Sequence, residues 1–238
     1  MVKKLVAVGC SYTASDWPFP VWPQVLSEKL NLDCVNLGNC GSGNEYIFSQ
    51  GLDALNRFSD IGIMVAMWSE FQRTDWYRDN NKWDCLHFKC IDGHRHKQSW
   101  RNEMMETLNV KGFDNKDGQI DRSLRFMYSL QTIARSLNIS FLHMVGCEPI
   151  LFEDRYMGGM RIINSPYFHK IEMLGWPILE DIGGWTIDTW LDTVDGSKKR
   201  GKSKLRISET DSHPNEEGHK RIANKLYKDI KNGGYKIN

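Results

Sequence analysis

Hydrophobic positions along the chain change period several times, and the changes divide it into elements. Lys4 to Val8 is a short apolar, β-branched run ending at Gly9, which predicts a buried parallel strand. Val21, Trp22, Val25, Leu26 and Leu30 follow helical spacing, with Pro23 near the start, and predict a helix over 21–30. Cys34 to Leu37 reads as a second strand and runs into the glycine-rich stretch from Gly38 to Gly43. Asn44 is placed to cap a helix whose inward face is Ile47, Phe48, Leu52, Leu55 and Phe58. Ile61 to Met67 and Ile139 to Val145 predict two more strands. Helices are expected over Arg122 to Leu137 and Glu216 to Ile230, the latter with Ile222, Ala223, Leu226 and Ile230 inward.

Strands alternating with helices imply an α/β three-layer sandwich, with a mostly parallel central sheet flanked by helices. Ligands of such sheets bind beyond the carboxyl ends of the strands. Ser11, Gly41, Trp68 to Arg73, and Gly146 with Cys147 each follow a strand end, so they are expected on one rim. Two stretches break the pattern, about 73–118 and 148–208, and read as long loop insertions in a single domain spanning 1–238.

Charge changes this picture little. Lys+Arg is 31 and Asp+Glu is 30, a net charge of +1, so no global attraction to nucleic acid or anionic membrane is expected. The apolar run at the N-terminus is too short for a signal peptide and no stretch approaches a membrane span, so a chain that is cytoplasmic or otherwise soluble without a signal peptide is expected, with extracellular delivery by another route left open. The six cysteines, Cys10, Cys34, Cys40, Cys85, Cys90 and Cys147, form no compact disulfide framework and are expected to be reduced.

Candidate chemistry sits at the two ends of the chain. Ser11 follows the first strand, and Gly9 two residues earlier permits a tight turn that exposes the hydroxyl. His213 stands before Pro214 at a loop-to-helix junction, with Asp211 two residues away and Glu209 as a competing acid. A serine nucleophile needs such a base, and the base needs a carboxylate.

Three blocks in order resemble the SGNH (GDSL-like) hydrolases: Gly9-Cys10-Ser11-Tyr12-Thr13, Asn36-Leu37-Gly38-Asn39-Cys40-Gly41, and Asp211-Ser212-His213-Pro214-Asn215 with Gly218-His219. The resemblance implies a flavodoxin-like SGNH fold. It also implies a serine esterase with Ser11 as nucleophile, His213 as base and Asp211 as acid, with the Ser11 and Gly41 amides binding the oxyanion and no cofactor. The substrate implied is a small acyl ester, with a carbohydrate O-acetyl group favoured by nine tryptophans. Tyr12 and Trp68 are expected to border it. Cys10 replaces the acid that usually precedes the serine, and Thr210 stands where the acid usually lies, three residues before the histidine. The family's third-block asparagine, an oxyanion donor, is also missing. Trp68-Ser69-Glu70-Phe71-Gln72-Arg73 stands there, and Gln72 or Arg73 is expected to supply the donor, with Ser69 the shorter alternative. That gap leaves open a non-catalytic binding or structural protein on the same scaffold.

Weaker signals were weighed beside these. Cys85, His87, Cys90, His94 and His96 are zinc-ligand types at a spacing that matches no standard site, and no metal is expected. Lys198, Lys199, Arg200, Lys202, Lys204 and Arg206 read as a solvated loop, or as a flap attracting anionic substrate. His143 reads as a packed strand histidine, and His219 receives no role.

Overall fold

The computed structural model describes residues 2–78, 82–87, 99–112, 115–147, 155–176, 184–197, 202–233 and 235. In chain order the strands are β1 (Lys4–Gly9), β2 (Asp33–Gly38), β3 (Ile61–Trp68), β4 (Arg73–Tyr77), β5 (Trp83–His87) and β6 (Ser140–Val145). The helices are α1 (Trp22–Leu30), α2 (Asn44–Arg57), α3 (Ser99–Val110), α4 (Lys116–Ser136), α5 (Arg155–Ile163), α6 (Ile187–Val194) and α7 (Glu216–Asn232). Strands β2, β1, β3 and β6 form, in that order, a sheet in which every pairing is parallel. The fold is the three-layer α/β sandwich expected.

Alternation along β3 divides the core into two. Met64, Ala66 and Trp68 face a cluster with Ile47 and Leu55 of α2 and Leu124, Met127 and Leu130 of α4. Ile63, Val65 and Met67 face the other cluster, with Trp22 and Leu26 of α1, Leu191 of α6, and Ile222, Ala223 and Leu226 of α7. All eight residues of β3 are buried, so its apolar run needs no polar face.

Two stretches read as loop insertions hold regular structure instead. β4 and β5 form an antiparallel pair, with α3 after them, and α5 and α6 lie in the second stretch. β4 was hard to read because Arg73-Thr74-Asp75-Trp76-Tyr77 is mostly polar yet half-buried. Asn44 also differs from expectation: Gly43 occupies the cap of α2. Asp75 of β4 takes over the capping, accepting from the amides of Gly43 at 2.7 Å and Tyr46 at 3.0 Å. Asn44 instead ties α2 to the end of β3. Its Oδ1 accepts from the Ser69 amide at 2.8 Å, and its Nδ2 donates to Ser123 Oγ at 3.0 Å.

Two histidines are buried in the layers. His143 Nδ1, in β6, accepts from the Trp68 indole at 3.1 Å, and burial, aided by the Arg135 charge, pushes the imidazole down to about 3. His219 Nδ1, in α7, accepts from the Trp22 amide at 3.3 Å, and burial, aided by His213, pushes it down to about 4. Both fold as neutral rings, whereas the unfolded chain takes up their protons near 6.5. Their stability is therefore fully present above that value and is lost as pH falls toward the folded values. His143→Gln keeps an acceptor for Trp68 but cannot protonate. The stability lost between about pH 7 and about pH 5 should be smaller in this variant by about 2 kcal/mol. Equal losses in urea titrations of both proteins would contradict this account.

Candidate active site

The carboxyl ends of the parallel strands meet at one rim, and the residues expected there are present. Ser11 lies in the turn that ends β1. The amides of Thr13 and Ala14 both donate to the Cys10 carbonyl, at 2.8 and 3.1 Å. A Cβ on Gly9 would lie 2.2 Å from Thr13 Oγ1, so the turn closes only on glycine. This geometry aims Ser11 Oγ at His213, whose Nε2 is 2.9 Å away.

His213 is held by a tight loop before α7. Its carbonyl accepts from Ile207 at 2.9 Å, and the Asn215 side chain bonds the carbonyls of Lys204 and Arg206 at 2.8 and 2.9 Å. Asn215 Oδ1 also caps α7 by accepting from the Gly218 amide at 3.0 Å. Asp211 Oδ1 lies 2.6 Å from His213 Nδ1 and accepts from the His213 amide at 3.1 Å. Burial raises the Asp211 carboxyl, but the bonds from the His213 ring and backbone outweigh it and hold the group below its ordinary 3.8. Glu209 turns away and pairs with Lys202 at 2.7 Å on the surface. Of the two acids, the structure brings only Asp211 to the histidine.

Gly41 lies in the turn after β2, which the Asn39 amide ties to the Gly9 carbonyl at 3.1 Å. Its φ of +79° is one that side chains rarely adopt. Among the described residues, neither the Ser11 amide nor the Gly41 amide donates a hydrogen bond. Arg73 holds this turn from β4: its Nη1 donates to the Ser42 carbonyl at 2.9 Å, and its Nε lies 3.5 Å from Glu70 Oε2. Burial works against the Arg73 charge, but Cys147, Glu70 and Cys10 around it more than compensate and keep the guanidinium protonated. Gln72 is buried in the turn that joins β3 to β4.

Two aromatic assignments are corrected. Trp68 is fully buried and spends its indole N–H on His143, so it belongs to the core and does not border a substrate. Tyr12 is also buried, and its hydroxyl donates to Asp188 Oδ1 at 2.7 Å. The aromatic side chain beside His213 that remains partly exposed is Trp17, 5.5 Å from the imidazole and stacked on Phe19. Trp185 and Trp190 pack around Lys225 instead.

Arg206 is the larger surprise. Read as the end of a solvated basic run, it is 3% exposed. Its Nε donates to Asp192 at 2.9 Å, its Nη1 to Asp188 Oδ1 at 2.8 Å and its Nη2 to the Asp188 carbonyl at 2.7 Å. The signal that could have found it is Asp188 and Asp192, four apart on the amphipathic α6, a spacing that puts two acids on one helix face. Lys202 and Lys204 are exposed, whereas Lys198, Lys199 and Arg200 lie outside the described residues. Of the metal-ligand types, Cys85 and His87 end β5, while Cys90, His94 and His96 lie outside the described residues. Among the described residues, no three His, Cys, Asp or Glu side chains group as a metal site, and Cys10, Cys34, Cys40, Cys85 and Cys147 are free thiols. No helix among them is long and apolar enough to cross a membrane.

No protein-family model and no curated protein sequence matches the chain. Solved structures do. A protein assigned to the lipolytic G-D-S-L family from Desulfitobacterium hafniense superposes with a TM-score of 0.51 at 15% identity, over 95% of this chain and 98% of that one. A G-D-S-L lipolytic family member from Veillonella parvula gives 0.43 at 12%, over 95% and 97% of the two chains. An acetyl xylan esterase from Butyrivibrio proteoclasticus gives 0.44 at 12%, over 97% of this chain and 64% of that one. The first of these shows that the chain has the fold of the G-D-S-L lipolytic proteins.

The depressed Asp211 carboxyl has a measurable sign. Its contribution to stability is present above the ordinary value of 3.8 and is lost as pH falls through the lower folded value. Asp211→Asn should therefore melt below wild type at neutral pH, and the gap should close in acid. A gap that stays constant down to about pH 2 would mean that the carboxylate is not held by His213.

Proposed function

We propose that this chain is a serine esterase that hydrolyses a small acyl ester. The observation that carries the reading is the run of contacts from Ser11 Oγ to His213 Nε2 at 2.9 Å and from His213 Nδ1 to Asp211 at 2.6 Å. The Ser11 and Gly41 amides, which have no partner among the described residues, add the donors this reading needs. Serine, imidazole and carboxylate in this order form a general-base relay.

In the mechanism, Ser11 Oγ attacks the ester carbonyl while His213 Nε2 takes its proton. Asp211 accepts from Nδ1–H, which fixes the tautomer and stabilises the imidazolium. The Ser11 and Gly41 amides donate to the oxygen that becomes negative. The imidazolium then gives its proton to the departing alcohol, leaving an acyl group on Ser11. Water, deprotonated by His213, releases the acid by the same steps in reverse order.

Arg73 stands in for the missing third-block asparagine. It anchors the carbonyl of Ser42 next to Gly41 and brings a positive charge to that side of the rim. Gln72, next to Arg73 in the turn before β4, is the second candidate donor. Trp17 and Phe19 are the partly exposed aromatic pair at the histidine side, where the alcohol would leave. Flat apolar faces there favour a carbohydrate alcohol, and so an O-acetyl sugar as the substrate class. The reading requires no metal or cofactor.

Substitutions at four positions test it. Ser11→Ala should abolish both hydrolysis of p-nitrophenyl acetate and labelling by a fluorophosphonate probe while the protein stays folded. If folded wild type neither labels nor hydrolyses, the chain is a binding protein on this scaffold. Arg73→Met should lower kcat by at least about 100-fold with a smaller change in KM. Asp211→Asn should lose far more activity than Glu209→Gln, since Glu209 is committed to Lys202. The reverse order in steady-state assays would move the acid.

A further inference from the structure

We propose that Arg206, acting through Asp188 and Tyr12, is the positioning residue that sets the separation of Ser11 Oγ and His213 Nε2. The inference rests on the esterase reading and adds α6 to its machinery. Tyr12 is covalently next to Ser11, and Ser212 is next to His213. Arg206 Nη1 donates to the Ser212 carbonyl and lies 3.2 Å from the Tyr12 hydroxyl, so one guanidinium nitrogen touches both segments. The Tyr12 hydroxyl in turn donates to Asp188 Oδ1 at 2.7 Å, the same oxygen that Arg206 Nη1 reaches at 2.8 Å.

Three properties make this a strut and not a loose ion pair. First, the guanidinium is a planar fork, so its bonds cannot be adjusted one at a time. Asp192 fixes Nε and the Asp188 carbonyl fixes Nη2, which leaves Nη1 no freedom. Second, the side chains of Arg206, Asp188 and Asp192 are 0%, 4% and 9% exposed, so water does not compete for them. Third, α6 is itself tied to the sheet, because the Asp188 amide donates to the Gly146 carbonyl at 2.9 Å, just past β6. The strut thus spans the nucleophile turn, the histidine loop and the end of a core strand. Burial, reinforced by Asp188, pushes the Tyr12 phenol up, so it remains a donor across the working pH range. None of these groups touches the reacting atoms.

The test uses the purified full chain. Arg206→Lys keeps the charge and loses the fork. Tyr12→Phe keeps the ring, 5.6 Å from His213, and loses the hydroxyl, and it serves if Arg206→Lys does not fold. For p-nitrophenyl acetate, Arg206→Lys should lower kcat by about 100-fold with little change in KM, as expected when reacting groups are misplaced by about 1 Å. Tyr12→Phe should lose less. The fluorophosphonate labelling rate should fall in parallel. In a His213→Ala background, Tyr12→Phe should have no further effect on labelling, since its action passes through the histidine. Lower melting temperatures with kcat and labelling unchanged would make the network merely structural and overturn the proposal. If wild type resists the probe, the esterase reading falls, and the His213 Nε2 nitrogen-15 resonance decides the positioning. It should move in Arg206→Lys or Tyr12→Phe toward its value in Ser11→Ala, and no movement would overturn the inference.

Discussion

The hydrogen bond between Ser11 Oγ and His213 Nε2 joins residues 202 positions apart, and much of the architecture is arranged around that closure. A serine at a strand end is ordinary until a base is held against it to a fraction of an ångström. The parallel sheet solves half of this by placing the carboxyl ends of its strands on one edge, with β1 in the interior between β2 and β3. The other half is solved behind the sheet. α1 follows the serine turn, α7 follows the histidine loop, and the two helices share one core, with His219 of α7 accepting from the first amide of α1. Sheet and helix layers thus fix the two ends of the chain from different sides.

Buried charge reinforces the closure, and it is divided between the two walls of the site. Arg73, facing Glu70, stiffens the turn that carries Gly41. Arg206, held by Asp188 and Asp192, stiffens the loop that carries His213. Removing one partner of a buried pair leaves an uncompensated charge, which costs about 3–5 kcal/mol. Each wall is therefore sensitive to the loss of a single charge. Both walls draw on the stretches expected to be loop insertions, β4 on one side and α6 on the other.

What the sequence disclosed follows from how each feature is encoded. The four sheet strands and the helices beside them could be read because burial on both faces leaves continuous apolar runs and burial on one leaves helical spacing. Ser11, His213 and Asp211 could be read because local chemistry marks them: a glycine turn, a proline junction and an acid two residues away. β4 escaped because its polar residues are half-buried by partners distant in sequence, with Asp75 capping α2. Arg206 was misread for the same reason, since a basic residue among lysines looks solvated until its two acids appear on a helix elsewhere. Trp68 erred in the opposite sense, because its place at a strand end suggested the rim while its ring packs into the core.

The distance along the chain between serine and histidine also orders events in time. Strand β1 and the serine turn leave the ribosome before the base that would activate Ser11, which is made 202 residues later, and the α7 core that holds it comes later still. Throughout synthesis the serine is an ordinary hydroxyl. On the esterase reading, the nascent polypeptide would be chemically silent, and reactivity would arrive only when the histidine loop and α7 have folded against the sheet. On the same reading, a copy that misplaces α7 would keep the serine turn and yet lack the base held against it.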